Sequence, residues 1–163
     1  MARLCKGGVT LRDQVNRRWP KRDKASDGWI GDRAHSERIS DHNPNKAGVV
    51  HAIDIDEGLG TYANGRTALR LANQILDYAA SGLAGASRLK YVVYENRIAS
   101  GTYRKTFWSW RHGNWGHEAH IHVSFTSAAD RDGTVFPLPI LTRSPLKKAR
   151  WRRDLSKARK ANK

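Results

Sequence analysis

The stretch Ser40-Asp41-His42-Asn43-Pro44-Asn45-Lys46-Ala47-Gly48-Val49-Val50-His51-Ala52-Ile53-Asp54-Ile55-Asp56 changes character halfway along. Its first half is turn chemistry. Asp41, Asn43 and Asn45 favour local side-chain to backbone bonds, Pro44 fixes its own φ, and Gly48 permits a positive one. A loop therefore presents His42. From Val49 onward the β-branched residues Val49, Val50, Ile53 and Ile55 predict a buried strand, whose period of two sets Ala52, Asp54 and Asp56 on the face opposite Ile53 and Ile55. An ionised carboxylate within such a strand is costly unless a cation or hydrogen-bond donors compensate it. For Asp56 a strand-end role, facing solvent or capping the next turn, is the simpler expectation.

Working outward, the partner of this stretch is His117-Glu118-Ala119-His120-Ile121-His122-Val123-Ser124-Phe125. From Ala119 the alternation of His120, His122 and Ser124 against Ile121, Val123 and Phe125 is that of a strand with one polar and one apolar face. If the two strands are neighbours, His42, Asp54 and one of the two histidines meet on a single polar surface. Two neutral imidazoles and a carboxylate suit zinc, with a fourth position left for water. His120 and His122 are poor core residues, because each ring needs partners for both nitrogens. One as ligand and the other as a catalytic neighbour resolves this. His35, His51 and His112 read as ordinary polar residues.

Between and around these motifs the coarse organisation is mixed helix and strand. Leu11, Val15 and Trp19 recur at helical spacing, with Thr10 as N-cap and Pro20 as stop. Residues 21–40 form a loop anchored by Trp29 and Ile30. Residues 66–80 place Leu69, Ala72, Ile75, Leu76 and Ala79 on one helix face that ends at Gly82. Residues 89–95 and 98–100 read as a hairpin turning at Asn96 and Arg97. Phe107, Trp108, Trp110 and Trp115 precede the histidine strand as core and rim aromatics or as a substrate wall.

The chain has 163 residues, room for one domain with a sizeable core, here residues 1–144 followed by a basic tail, residues 145–163. A single cysteine, Cys5, excludes an intramolecular disulfide. No apolar run near the start suits a signal peptide, and none elsewhere suits a membrane span. The formal net charge of +15 implies attraction to polyanions such as nucleic acid, lipid headgroups or acidic wall polymers. In the tail, Lys147, Lys148, Arg150, Arg152, Arg153, Lys157, Arg159, Lys160 and Lys163 face a lone Asp154. It reads as a solvated tail, or as an anionic-surface anchor into which Trp151 inserts, with Leu155 and Ala158 completing a narrow stripe.

Through Ser40-Asp41-His42, Ala52-Ile53-Asp54 and His120-Ile121-His122 the chain resembles the zinc peptidases that include D-alanyl-D-alanine carboxypeptidases, L-alanyl-D-glutamate endopeptidases and the hedgehog signalling domain. Its Asp27-Gly28-Trp29-Ile30-Gly31-Asp32 and Ile98-Ala99-Ser100-Gly101-Thr102-Tyr103-Arg104 runs are similar, with these motifs, to peptidase domains of actinobacterial phage endolysins. The resemblance covers about residues 11–125. It implies an α+β fold in which a small antiparallel sheet carries the zinc site and packs against helices. It further implies zinc on His42, Asp54 and His122, with His120 facing the scissile carbonyl of a peptidoglycan stem peptide. The carboxypeptidase branch has an acidic base three residues before its last ligand; Ala119 stands there, so the base falls to His120, Glu118 or His117. The His42 to Asp54 interval is longer than the family's compact pattern, which makes His51 a reserve ligand. Arg38 and Ser40 beside the first motif, and Trp110 and Trp115 before the second, are expected to contact substrate.

With no signal-peptide-like run, synthesis in the host cytoplasm is expected; the resemblance implies release to act on the wall, and a monomer is expected. Two rivals from other classes are a zinc-stabilised wall-binding module and a metal-dependent nuclease. The nuclease lacks the several carboxylates of a two-metal site, and no specific nucleic-acid partner is expected.

Overall fold

The computed structural model describes residues 1–31, 39–60, 66–142 and 145–161. In chain order its main elements are β1 (Arg3–Leu4), α1 (Lys6–Arg18), β2 (Val49–Val50), β3 (Ala52–Asp56), α2 (Arg66–Ala80), β4 (Leu89–Tyr94), β5 (Arg97–Ser100), β6 (Arg111–His112), β7 (His120–Phe125) and α3 (Pro145–Ala161). One antiparallel sheet runs in the order β3-β7-β4-β5-β6, and β1 pairs in parallel with β2. The architecture is the α+β arrangement with a small antiparallel sheet that the sequence pattern predicts.

Alternation places the layers. Ile53, Ile55, Ile121, Val123, Phe125 and Val92 are buried to within a few per cent and form a core with Leu11 and Val15 of α1 and Leu71, Ala72 and Ile75 of α2. The helices therefore cover the apolar face of the sheet, and the histidines of β7 lie on the other. Hydrophobic burial of this kind contributes roughly 25 cal/mol per Å2 of apolar surface. No helix among the described residues is long and apolar enough to cross a membrane.

The long predicted strand is interrupted at His51. Upstream of it, Asn45 closes a small loop: its Oδ1 accepts from Ala47 N at 2.9 Å and Val49 N at 3.0 Å, and its own N–H donates to Val49 O at 2.9 Å. Gly48, at φ 73°, supplies the left-handed residue that this reversal needs. His51 is turned toward Asp130, with Nε2 2.6 Å from Oδ1, and so is no reserve ligand.

Several local expectations shift. The first helix begins at Lys6, not after Thr10: Cys5 is its N-cap, its Sγ accepting from Gly8 N at 3.4 Å. Thr10 lies inside the helix and donates to Gly133 O. Close packing accounts for a glycine in the first turn, because a Cβ on Gly7 would stand 2.9 Å from Ala129 Cβ. The second helix has the expected span, but Ala68, Leu71 and Tyr78 share its buried face while Leu69 and Leu76 are only partly covered. The hairpin turns one residue early, at Glu95 and Asn96, both at positive φ (49° and 56°), the signature of a type I′ turn. Ile30 is 51% exposed and does not anchor its loop; Trp29 packs against the core. That loop is held instead by buried Arg22, which bonds Asn16 Oδ1, Asp23 O and the Asp27 carboxylate.

The basic C-terminal segment is a helix whose Trp151 and Leu155 are 7% and 8% exposed and belong to the core. Trp151 lies 5.9 Å, centroid to centroid, from Tyr78 of α2. The tail expectation, and with it membrane insertion by Trp151, is overturned: the apolar stripe is already satisfied inside the molecule, and Arg152, Arg153, Lys157 and Lys160 point outward.

Candidate metal centre

β3 and β7 are neighbours in a register that sets Asp54 opposite His122 and Asp56 opposite His120. Residues opposed across an antiparallel ladder share a face, so both histidines of the strand stand beside Asp54. The third component arrives from the loop. His42 is held by bonds from its N–H to Ser40 Oγ (3.2 Å) and from Gly31 N to its carbonyl (3.0 Å). The preceding Asp41 is fixed by Lys90 Nζ at 2.8 Å to both carboxylate oxygens.

His42 Nε2 lies 3.2 Å from Asp54 Oδ2 and 3.2 Å from His122 Nδ1, and that Nδ1 lies 3.0 Å from Asp54 Oδ1. One potential ligand atom from each of His42, Asp54 and His122 falls within 4.8 Å of the others, a set that could hold a metal ion. Asp54, His117 and His120 form a second such set on the same carboxylate. His120 Nε2 is 3.6 Å from Asp54 Oδ1.

The outer nitrogens are also committed. His122 Nε2 lies 2.9 Å from Ser124 Oγ, and its ring stacks on Tyr91 (centroids 5.4 Å, planes 17° apart). His42 bonds the Trp29 backbone carbonyl. His117 Nδ1 lies 2.7 Å from the Trp115 carbonyl, which can only accept, so in the neutral ring Nδ1 carries the proton and Nε2 keeps its lone pair. Such outer bonds select the tautomer and aim the opposite nitrogen, as they do around histidine ligands in metal sites.

Burial and charge compete here. Burial opposes a charged Asp54, but hydrogen bonds from His122 and His42 hold its carboxyl well below the usual range. Burial likewise opposes charging of His42, yet Asp54 outweighs it and raises the imidazole. His122 and His120 are lowered, chiefly by burial. The arrangement is an ionised carboxylate among imidazoles of which the strand pair favour the neutral form, donor chemistry compatible with a metal ion.

The remaining candidates fall into two groups. His117 joins the cluster, with its ring 5.0 Å from that of His120 and 4.9 Å from that of His122. Glu118 does not: its Oε1 accepts from Asn96 Nδ2 at 2.5 Å at the hairpin tip, so it is tied away from Asp54. Ser40 is a turn residue that supports His42. Trp110 donates to Asn73 Oδ1 of α2 at 2.7 Å, while Trp115 is 43% exposed next to the His117 loop. Arg38 lies outside the described residues.

Asp56 caps its turn, accepting from Gly58 N at 2.7 Å and Ser26 N at 3.0 Å, and it is buried instead of facing solvent. Three supporting residues escaped sequence reading. Ser124 was visible only as part of the polar alternation and Tyr91 only as a strand former. Asn96 showed only as a turn residue, yet its Oδ1 accepts from Gly116 N at 2.8 Å and its N–H donates to Gly116 O at 3.0 Å. Comparison of the chain with protein-family models, curated proteins and solved structures yields no match.

Proposed function

We propose that the chain is a zinc-dependent peptidase that hydrolyses an amide bond in the stem peptide of bacterial peptidoglycan, with the hedgehog-like fold and endolysin role that its motifs resemble. The observation that carries this reading is the convergence of His42, Asp54 and His122, from a loop and two antiparallel strands, on one polar spot. The donor set fits zinc: two imidazoles and one carboxylate, each ring aimed by a bond at its far side.

When bound, zinc supplies Lewis acidity for hydrolysis of an amide. Asp54 keeps its negative charge between the imidazoles and orients both ring nitrogens toward the same point. His120, half-buried one step along β7, is placed to accept the proton of an attacking water. His117, with a lone pair at Nε2, is placed to receive a proton or to donate one to the leaving amine once charged. Its backbone sits at φ 61°, a left-handed conformation that a non-glycine residue adopts at a cost, as is common at functional sites. Exposed Trp115, two residues before His117 with its ring beside Gly113 and Arg111, would offer apolar surface to a bound peptide.

The test is digestion of purified diaminopimelate-type peptidoglycan with mass analysis of the fragments, using zinc-loaded, zinc-stripped and His122→Ala protein. New peptide termini that disappear on stripping and in the variant are expected. Zinc-loaded, folded protein that releases no termini would instead make the cluster a structural centre of a binding module.

A further inference from the structure

A cavity of about 690 Å3 opens among α1, α2 and α3 and is lined by none of the residues of the metal cluster. Trp19, Trp151 and Ile140 supply its apolar surface, and Arg18, Arg70 and Arg152 its cationic surface, one arginine from each helix. Asp77 is the only acidic residue among its described lining. Among the described residues, none of the three arginines has a carboxylate within ion-pair distance, whereas Arg150 and Arg153 both neighbour Asp154. Arg18 is pre-positioned: its Nε donates to Ile140 O at 3.0 Å and its guanidinium lies 5.2 Å from the Trp19 ring centroid. Ile140 is in turn fixed by Gln74, whose Oε1 accepts from the Ile140 N–H at 2.8 Å.

We propose that this cavity is a second binding site, for an anionic glycan whose phosphate or carboxylate groups pair with the three arginines while a sugar ring lies against tryptophan. Guanidinium groups recognise such oxyanions through two parallel N–H donors, and an aromatic face accepts the C–H side of a sugar. The volume suits one or two saccharide units, not a duplex. A lipid surface is disfavoured because Trp151 and Leu155 face inward, leaving no large apolar side chain on the described outer face of α3 to insert. The choice of a wall glycan among anionic chains rests on the peptidase reading above. The site would hold the chain on the wall while the separate metal centre meets stem peptides.

The test is calorimetric titration of the full chain, at about 0.15 M salt to suppress long-range attraction, with a phosphomannan, with hyaluronan and with duplex DNA. Wild type is compared with Arg70→Ala/Arg152→Ala, with Arg70→Gln/Arg152→Gln, and with the charge-matched outer-face control Lys157→Ala/Lys160→Ala. Loss of two charge-assisted contacts should weaken binding to at least one glycan by about tenfold or more in both arginine pairs, and by less than about threefold in the control. The phosphate and carboxylate arms show which anion the site takes. Equal losses in all variants, no glycan binding by wild type, or tighter arginine-dependent binding of DNA would each overturn the proposal. Binding needs no hydrolysis, so an inactive metal centre would leave this result standing.

Discussion

Asp54 and His122 face each other directly across the β3–β7 ladder, with Oδ1 3.0 Å from Nδ1, although 68 positions separate them in the chain. The contact exists only because the two strands pair in this register. A slip of one residue would turn His122 into the core and bring Ile121 to the polar side. The candidate metal centre is therefore a property of the folded sheet.

Ser124 should matter to the metal without touching it. Its hydroxyl holds His122 Nε2, and its removal in Ser124→Ala frees the ring to rotate and reduces its basicity. Zinc affinity is expected to fall by about 10–100-fold, read by competition with a chromogenic chelator. Unchanged affinity would mean that Tyr91 stacking alone orients the ring.

Asn96 staples the hairpin tip to the loop that carries His117, through Gly116 N, Gly116 O and Glu118. Asn96→Gly keeps the positive φ and deletes only the side-chain staple. On the proposed mechanism, turnover should drop by about tenfold or more with KM and zinc content little changed, because a small displacement of a proton-transferring ring is costly. A variant with wild-type turnover would remove His117 from the mechanism.

Trp151 separates an integral helix from an appended tail. Trp151→Ala should destabilise the chain by about 3–5 kcal/mol, the usual cost of deleting a large buried ring, measured by urea unfolding. Arg153→Ala, on the outer face, should shift stability by less than about 0.5 kcal/mol.

Cys5 should be inert. Burial pushes its thiol up to about 11, and the helix cap keeps Sγ inside, so the nucleophilic thiolate is scarce until the pH nears that value. A thiol reagent at pH 8 should label the protein only after denaturant is added; rapid native labelling would show that the first turn of α1 opens.

The His42, Asp54 and His122 cluster was legible because it violates a rule: Asp54 stands in a strand otherwise suited to burial, and two histidines share one face of another. Strand periodicity also predicts β3, β4, β5 and β7, and helical periodicity predicts the span of α2. What stayed hidden depends on contacts distant in sequence or on unusual chemistry. Cysteine is an uncommon cap, so Thr10 looked better than Cys5. Charge density obscured that Trp151 and Leu155 suffice to dock α3. Glu118 looked like a base from spacing alone, and only the hairpin tip shows where its carboxylate is spent. The place of His117 follows from a left-handed backbone that no hydrophobic pattern encodes.

The closed loop from Asn45 to Val49 separates distance along the chain from distance in space. His42 is fixed by Ser40 and Gly31, and Asp54 by the sheet, so residues added at the exposed tip around Lys46 need not move either ligand. Spacing between the first histidine and the aspartate is thus a free variable for evolution and for engineering. A short affinity tag or reporter peptide placed there should leave the assembly of the His42, Asp54 and His122 cluster intact.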